Sequence, residues 1–152
     1  MTIQTQQRRS ETLSDPQTLV DRYVSMWMET DADMRRTRIR ELWTENAVHV
    51  LEPPREMRQA AAALGFVSPT LEVRGYAALE ARVTRAHQEF VAAGRFVFRS
   101  RGNVTRLHDV VKFNWEMVPA DGGAVAGVGL EVIMVDADDR IVMDYQFIEA
   151  VQ

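Results

Sequence analysis

Cysteine is absent from all 152 residues, which excludes disulfides, thiolate metal sites and thiol nucleophiles. Lysine occurs once, at Lys112, and 18 basic against 22 acidic side chains leave a formal charge of -4. With no basic surplus to neutralise phosphates, nucleic acid and anionic membrane surfaces are not expected partners. No apolar run is long enough to cross a bilayer, and MTIQTQQRRSETLSDP at the start lacks the apolar centre of a signal peptide. A cytoplasmic protein is expected. A glycine-rich phosphate loop is missing, as is a histidine pair at metal-ligand spacing, so neither a cofactor nor a metal is expected.

What the chain does contain is two blocks of different period. The polar residues 1–14 have no period and read as a disordered tail, followed by one domain over residues 15–152. Asp15-Pro16 supplies a helix cap and a proline at the first helical position, after which Leu19, Val20, Tyr23, Val24 and Trp27 recur at helical spacing. Asp31 or Asp33 caps a second, shorter helix carrying Ile39, Leu42 and Trp43, and AVHVL at 47–51 reads as a strand. Pro53-Pro54 stops it, and a helical insert at about 54–73 ends its helix at Gly65. Gly75 opens a third long helix that runs to Gly94. From Arg95 the period becomes two, with a break near Gly102-Asn103 and hairpin turns at DGG, 121–123, and DADD, 136–139. Helical segments followed by a meander of about four strands define an α+β class with a curved sheet wrapped over helices.

This order resembles the nuclear transport factor two-like superfamily, in particular its SnoaL-like and ketosteroid isomerase-like members. The carriers are the aromatics of the first helix, RELWTENAVHV at 40–50, RGYAALEARV at 74–83, HDVVKFNWEM at 108–117, GLEV at 129–132 and DRIVMDYQF at 139–147. The resemblance implies a cone-shaped fold, a cystatin-like α+β barrel in which three N-terminal helical segments pack on a curved, mostly antiparallel sheet. It further implies a deep apolar pocket between sheet and helices, and a homodimer. No single activity follows from it, because the fold hosts isomerases, dehydratases, cyclases, epoxide hydrolases and non-catalytic modules.

Two acids stand in apolar strands. Alternation along residues 107–117 puts Asp109 on the face of Val111, Phe113 and Trp115, where desolvation would raise its pKa and suit it to proton transfer; at a solvated strand end it would instead be unremarkable. Glu131, inside GVGLEVIMV, falls opposite Phe113 if DGG closes as a three-residue hairpin with a glycine bulge. With an even loop it falls opposite Lys112 or Asn114 and pairs with the lysine. The resemblance implies the first register. Tyr23 is the third catalytic candidate, as a hydroxyl able to hydrogen-bond a substrate carbonyl. Trp27, His49, Phe98, Phe113, Trp115 and Gln146 are expected against the substrate, with His49 at the pocket rim.

Limonene epoxide hydrolase-like members carry an Arg-x-Asp step on the middle strand and a late aspartate on the last. Here Leu107 and Gln146 stand at those places, so that relay is not expected. The function expected is a cofactor-independent acid–base enzyme of isomerase, cyclase or dehydratase type acting on an apolar carbonyl compound. Asp109 would be the base, and a protonated Glu131 or Tyr23 the hydrogen-bond donor to the enolate. The alternative is a non-catalytic module that binds a small ligand or only dimerises, with Glu131 paired to Lys112 and Asp109 in water.

Overall fold

The computed structural model describes residues 15–151; the tail assigned to 1–14 lies outside the described residues. Helix α1 (Pro16–Met28) starts as the sequence indicates: the Asp15 carboxylate accepts from the Gln17 amide at 3.0 Å, and Pro16 sits where no N–H is needed. Helix α2 (Ala32–Leu42) is capped by Asp31, which accepts from the Met34 amide at 2.9 Å. Trp43 does not continue this helix. It opens strand β1 (Trp43–Leu51), so the strand begins four residues before AVHVL.

The insert carries helix α3 (Arg55–Ala63), which buries none of its residues and stops at Gly65, where φ is 88°. It also supplies a strand absent from the expected order, β2 (Leu71–Arg74), paired antiparallel to β1. Helix α4 (Gly75–Ala86) widens at its end into a π-helical turn over His87–Val91, with Ala92 N bonded to His87 O at 2.7 Å. Strands β3 (Phe96–Ser100), β4 (Thr105–Leu107), β5 (Val110–Pro119), β6 (Gly127–Val135) and β7 (Ile141–Glu149) complete one seven-stranded sheet in the order β2-β1-β7-β6-β5-β3, with β4 pairing β5 beyond the end of β3. Only β1 and β7 run parallel; every other pairing is antiparallel.

The curved sheet wraps the helices into a cone. Leu19, Val20, Tyr23, Met26 and Trp27 on α1 pack with Leu79 and Val83 of α4 against Trp43, Val111, Phe113, Ile133 and Ile141 of the sheet, forming one continuous core. This face of the sheet is the one that matters for function, and register decides which side chains reach it. The DADD turn forms as expected: the Asp136 carboxylate accepts from the Asp138 and Arg140 amides, and Asp139 takes a positive φ of 57°. The DGG turn does not close as a three-residue hairpin. β5 and β6 separate after the Met117–Gly127 pair, and a longer loop connects them. Its residue count is odd all the same, so Glu131 falls opposite Phe113, the register that the short turn would have produced.

Candidate active site

A cavity of about 500 Å³ opens between the helices and the concave face of the sheet. Its mouth is edged by exposed residues such as Glu89, Ile148 and Val151, and its closed end is bordered by the fully buried Glu131 and Tyr23. Pro54 alone of the insert reaches it, so α3 does not cover the opening as a lid would.

Strand pairing assembles the closed end. Glu131 of β6 lies beside Gln146 of β7, and Asp144 of β7 lies between Ile133 of β6 and His49 of β1. Residues paired across neighbouring strands point to one side of a sheet, so Glu131, Asp144, Gln146 and His49 all face the helices. Glu131, Asp144 and His49 are each 0% exposed. From above, the Tyr23 hydroxyl donates to Asp144 Oδ2 at 2.6 Å, and His49 Nε2 lies 3.4 Å from the same oxygen. Trp115 Nε1 donates to Glu131 Oε1 at 2.9 Å. That bond explains the glycine in GLEV. Gly129 lies directly opposite Trp115, and a Cβ there would overlap the indole ring, so the glycine gives the tryptophan its place over the sheet.

Electrostatics set Glu131 apart from ordinary carboxylates. Burial pushes the Glu131 carboxyl well above its usual range, and the charge of Asp144 beside it pushes it further. Glu131 Oε2 and Asp144 Oδ1 have no well-aligned hydrogen-bond partner among the described residues. Glu131 therefore holds its proton. Burial, and then the charge of Asp144, likewise raises the Tyr23 hydroxyl well above its usual range, so it stays a phenol. Burial lowers the pKa of His49 more than Asp144 raises it, which keeps the imidazole neutral. The ring packs near Trp27 and Trp43, at centroid distances of 6.1 and 5.8 Å.

One ligand atom each from His49, Glu131 and Asp144 falls within 4.8 Å of the others, a donor set of a kind that holds first-row divalent ions. Asp144 Oδ2 is engaged by Tyr23, while both nitrogens of His49, Glu131 Oε2 and Asp144 Oδ1 are buried without a well-aligned hydrogen-bond partner among the described residues.

Of the residues singled out in the sequence, Tyr23, Trp27, Phe98, Trp115, Glu131 and Gln146 border the cavity. Three do not stand where they were expected. Asp109 is exposed, in the two-residue turn between Leu107 and Val110, and its carbonyl accepts from the Val135 amide. The strand taken to run unbroken from 107 is interrupted here, because His108 adopts a left-handed φ of 51°. Phe113 is core: it is 1% exposed and packs edge-on to Tyr23. His49 is not at the rim but buried behind the acids. The Glu131–Lys112 pair does not form, since Lys112 stands opposite Val132 and Thr105 on the outer side.

Sequence reasoning missed Asp144, although the signal was there. The DADD turn has an even number of residues, and carried through to β7 its parity puts Asp144 on the face of Glu131. Val135 pairs with Ile141 across an odd number of residues, and the one-residue bulge between Met134 and Val135 restores the parity that puts Asp144 on the face of Glu131. The late acid sought at position 146 thus stands two residues earlier, on the same face.

Solved structures with this architecture include a SnoaL-like family protein from Agrobacterium tumefaciens, 22% identical, with a TM-score of 0.69 over 88% of this chain and 96% of that one. An NTF2-like protein from Mesorhizobium loti is 17% identical, with a TM-score of 0.58 over 91% and 97% of the two chains. Bal32a, from a soil-derived mobile gene cassette, is 17% identical, with a TM-score of 0.60 over 90% of each. No family model matches the sequence, and no curated protein matches it. The chain therefore has the nuclear transport factor two-like fold in its SnoaL-like form. At these identities the likeness carries the fold and no activity.

Proposed function

We propose that the protein is a cofactor-independent acid–base enzyme that moves a proton next to the carbonyl of an apolar small molecule, as isomerases, cyclases and dehydratases of this fold do. One observation carries the reading: Glu131, a carboxyl with a raised pKa, borders the closed end of an apolar cavity beside Tyr23 and Asp144. Two similar structures, from Agrobacterium tumefaciens and Bacillus subtilis, bear provisional isomerase names.

In this mechanism protonated Glu131 donates a hydrogen bond to the substrate's carbonyl oxygen, held in place by the Trp115 bond to its other oxygen. Tyr23 oxygen takes the proton from the adjacent carbon as its own hydroxyl proton passes to Asp144 over the 2.6 Å bond. The transfer is concerted, because the raised pKa of Tyr23 keeps a free phenolate out of reach. Negative charge then rests on the enolate oxygen facing Glu131. Returning the proton to a different carbon isomerises the substrate, and expulsion of a leaving group dehydrates it. The same proposal makes the protein a cytoplasmic homodimer that pairs through the exposed Met134, Val142, Tyr145 and Phe147; sedimentation at micromolar concentration tests the pairing.

Proton exchange tests the chemistry without knowledge of the natural substrate. In deuterium oxide, the wild-type protein is expected to speed deuterium uptake at the carbons flanking the carbonyl of 2-tetralone, read by proton NMR. Glu131→Gln and Tyr23→Phe are expected to lose that acceleration. Bound tetralone with no acceleration by the wild type would leave a ligand-binding module in place of an enzyme.

A further inference from the structure

Arg82, on α4, is the one cationic side chain bordering the cavity among the described residues. The proton-transfer scheme does not use it. It is half-buried, with its guanidinium carbon 5.3 Å from the centroid of the Trp27 ring. Its Nε is buried without a hydrogen-bond partner, and no carboxylate of the described residues lies within ion-pair distance. A guanidinium in that position is costly, because it has left part of its water shell and gained only an aromatic face in return. Arg36, Arg99 and Arg101 by contrast meet glutamates at 3.0–3.3 Å, and Arg40 and Arg95, which also lie over aromatic rings, are exposed to water.

We infer that Arg82 is a subsite for a carboxylate carried by the substrate, which would be an apolar oxo-acid bound with its carbonyl toward Glu131 and its carboxylate toward α4. The inference rests on the proposed function for the carbonyl end but not for the anion. A planar guanidinium fork matches a carboxylate in two parallel hydrogen bonds, and the Trp27 ring lies 5.3 Å from the guanidinium carbon. The charge count of the wall sets the ligand's charge. Arg82 is the single cation of a wall that also carries Glu89 and Glu149, with Glu131 protonated, so its one guanidinium matches one carboxylate and the acids disfavour a phosphate dianion. The remaining lining is aromatic and aliphatic, including Phe90, Phe98 and Met117, which suits a hydrocarbon body between the two polar ends.

A matched pair of unreactive probes tests this: 2-naphthoate and 2-naphthamide, which share a ring system and differ in the anion. Their affinities are measured by quenching of tryptophan fluorescence, since Trp27 and Trp115 border the cavity. The wild-type protein is expected to bind naphthoate at least about tenfold more tightly, a preference that falls at high salt. In Arg82→Gln the preference disappears, and in Arg82→Lys, which keeps the charge but not the fork, it is partly restored. Glu131→Gln keeps the preference, so loss of proton transfer and loss of anion recognition are read separately. Equal affinity of the wild type for both probes, binding of neither, or a carboxylate preference that survives Arg82→Gln would overturn the assignment.

Discussion

Glu116 and Glu131 sit on adjacent strands of one sheet and have opposite fates. Glu116 points outward from β5, where Arg99 and Arg101 bond its carboxylate at 3.1 and 3.3 Å. Hydrogen bonding from Arg99 holds its carboxyl below the usual range; burial opposes it, and the Arg101 bond and the charges of both arginines add to the lowering. Glu131 points inward from β6, has a tryptophan N–H and a second acid for company, and is held above that range. The pleat alone makes the difference, since Glu116 is opposite Val128 and Glu131 opposite Phe113 in the same ladder. The outer acid is satisfied and stabilising, whereas the inner acid keeps a proton it can lend.

The largest expected effect comes from removing the inner acid. Glu131→Gln keeps shape and one oxygen for Trp115 but removes the acidic proton, so turnover falls by about 10²–10⁴-fold. Its melting temperature stays level or rises, because a neutral amide suits a dry site at least as well as a carboxyl beside Asp144. Next is Gly129→Ala. The added methyl displaces the Trp115 ring and with it the bond to Glu131, which costs about 1–3 kcal/mol of stability by thermal unfolding and lowers turnover with it. A smaller effect separates the acids by pH. The raised pKa of Glu131 means the folded state holds its proton longer than the unfolded chain, so this contribution is full at low pH and fades as pH rises through the folded value. The lowered pKa of Glu116 acts in reverse, present above the unfolded value and lost as pH falls through the folded one. Denaturant titrations across pH should therefore show Glu131→Gln flattening the slope on the alkaline side and Glu116→Gln flattening it on the acid side. The smallest effect belongs to Asp109→Asn, in an exposed turn, which is expected to change stability by less than about 0.5 kcal/mol and turnover not at all. A large loss of turnover in that variant would return the base to position 109.

Much of this arrangement was legible in the residues. Caps at Asp15 and Asp31, the stop at Gly65 and the parity of Glu131 are local signals, and each is realised. Register survived an error in the turn itself, because only the odd count of loop residues matters for which face Glu131 takes. The errors came where one residue broke a pattern without a glycine or proline to announce it. His108 takes a left-handed conformation and turns Asp109 into solvent, and Trp43 leaves a helix to begin a strand. His49 and Arg82 gain their meaning from neighbours far along the chain, Asp144 and Trp27, which no spacing rule connects. The short strand β2 has little burial of its own and exists because β1 offers it an edge.

The most direct test is a carbon-13 NMR titration of the protein labelled at the glutamate side-chain carboxyl, with the Glu131 resonance assigned by its loss in Glu131→Gln. A carboxyl still protonated at neutral pH, while Glu116 titrates below the ordinary carboxylate range, is the predicted result. A Glu131 that ionises with the surface glutamates would contradict the account, for the cavity would then hold a charge and have no proton to lend.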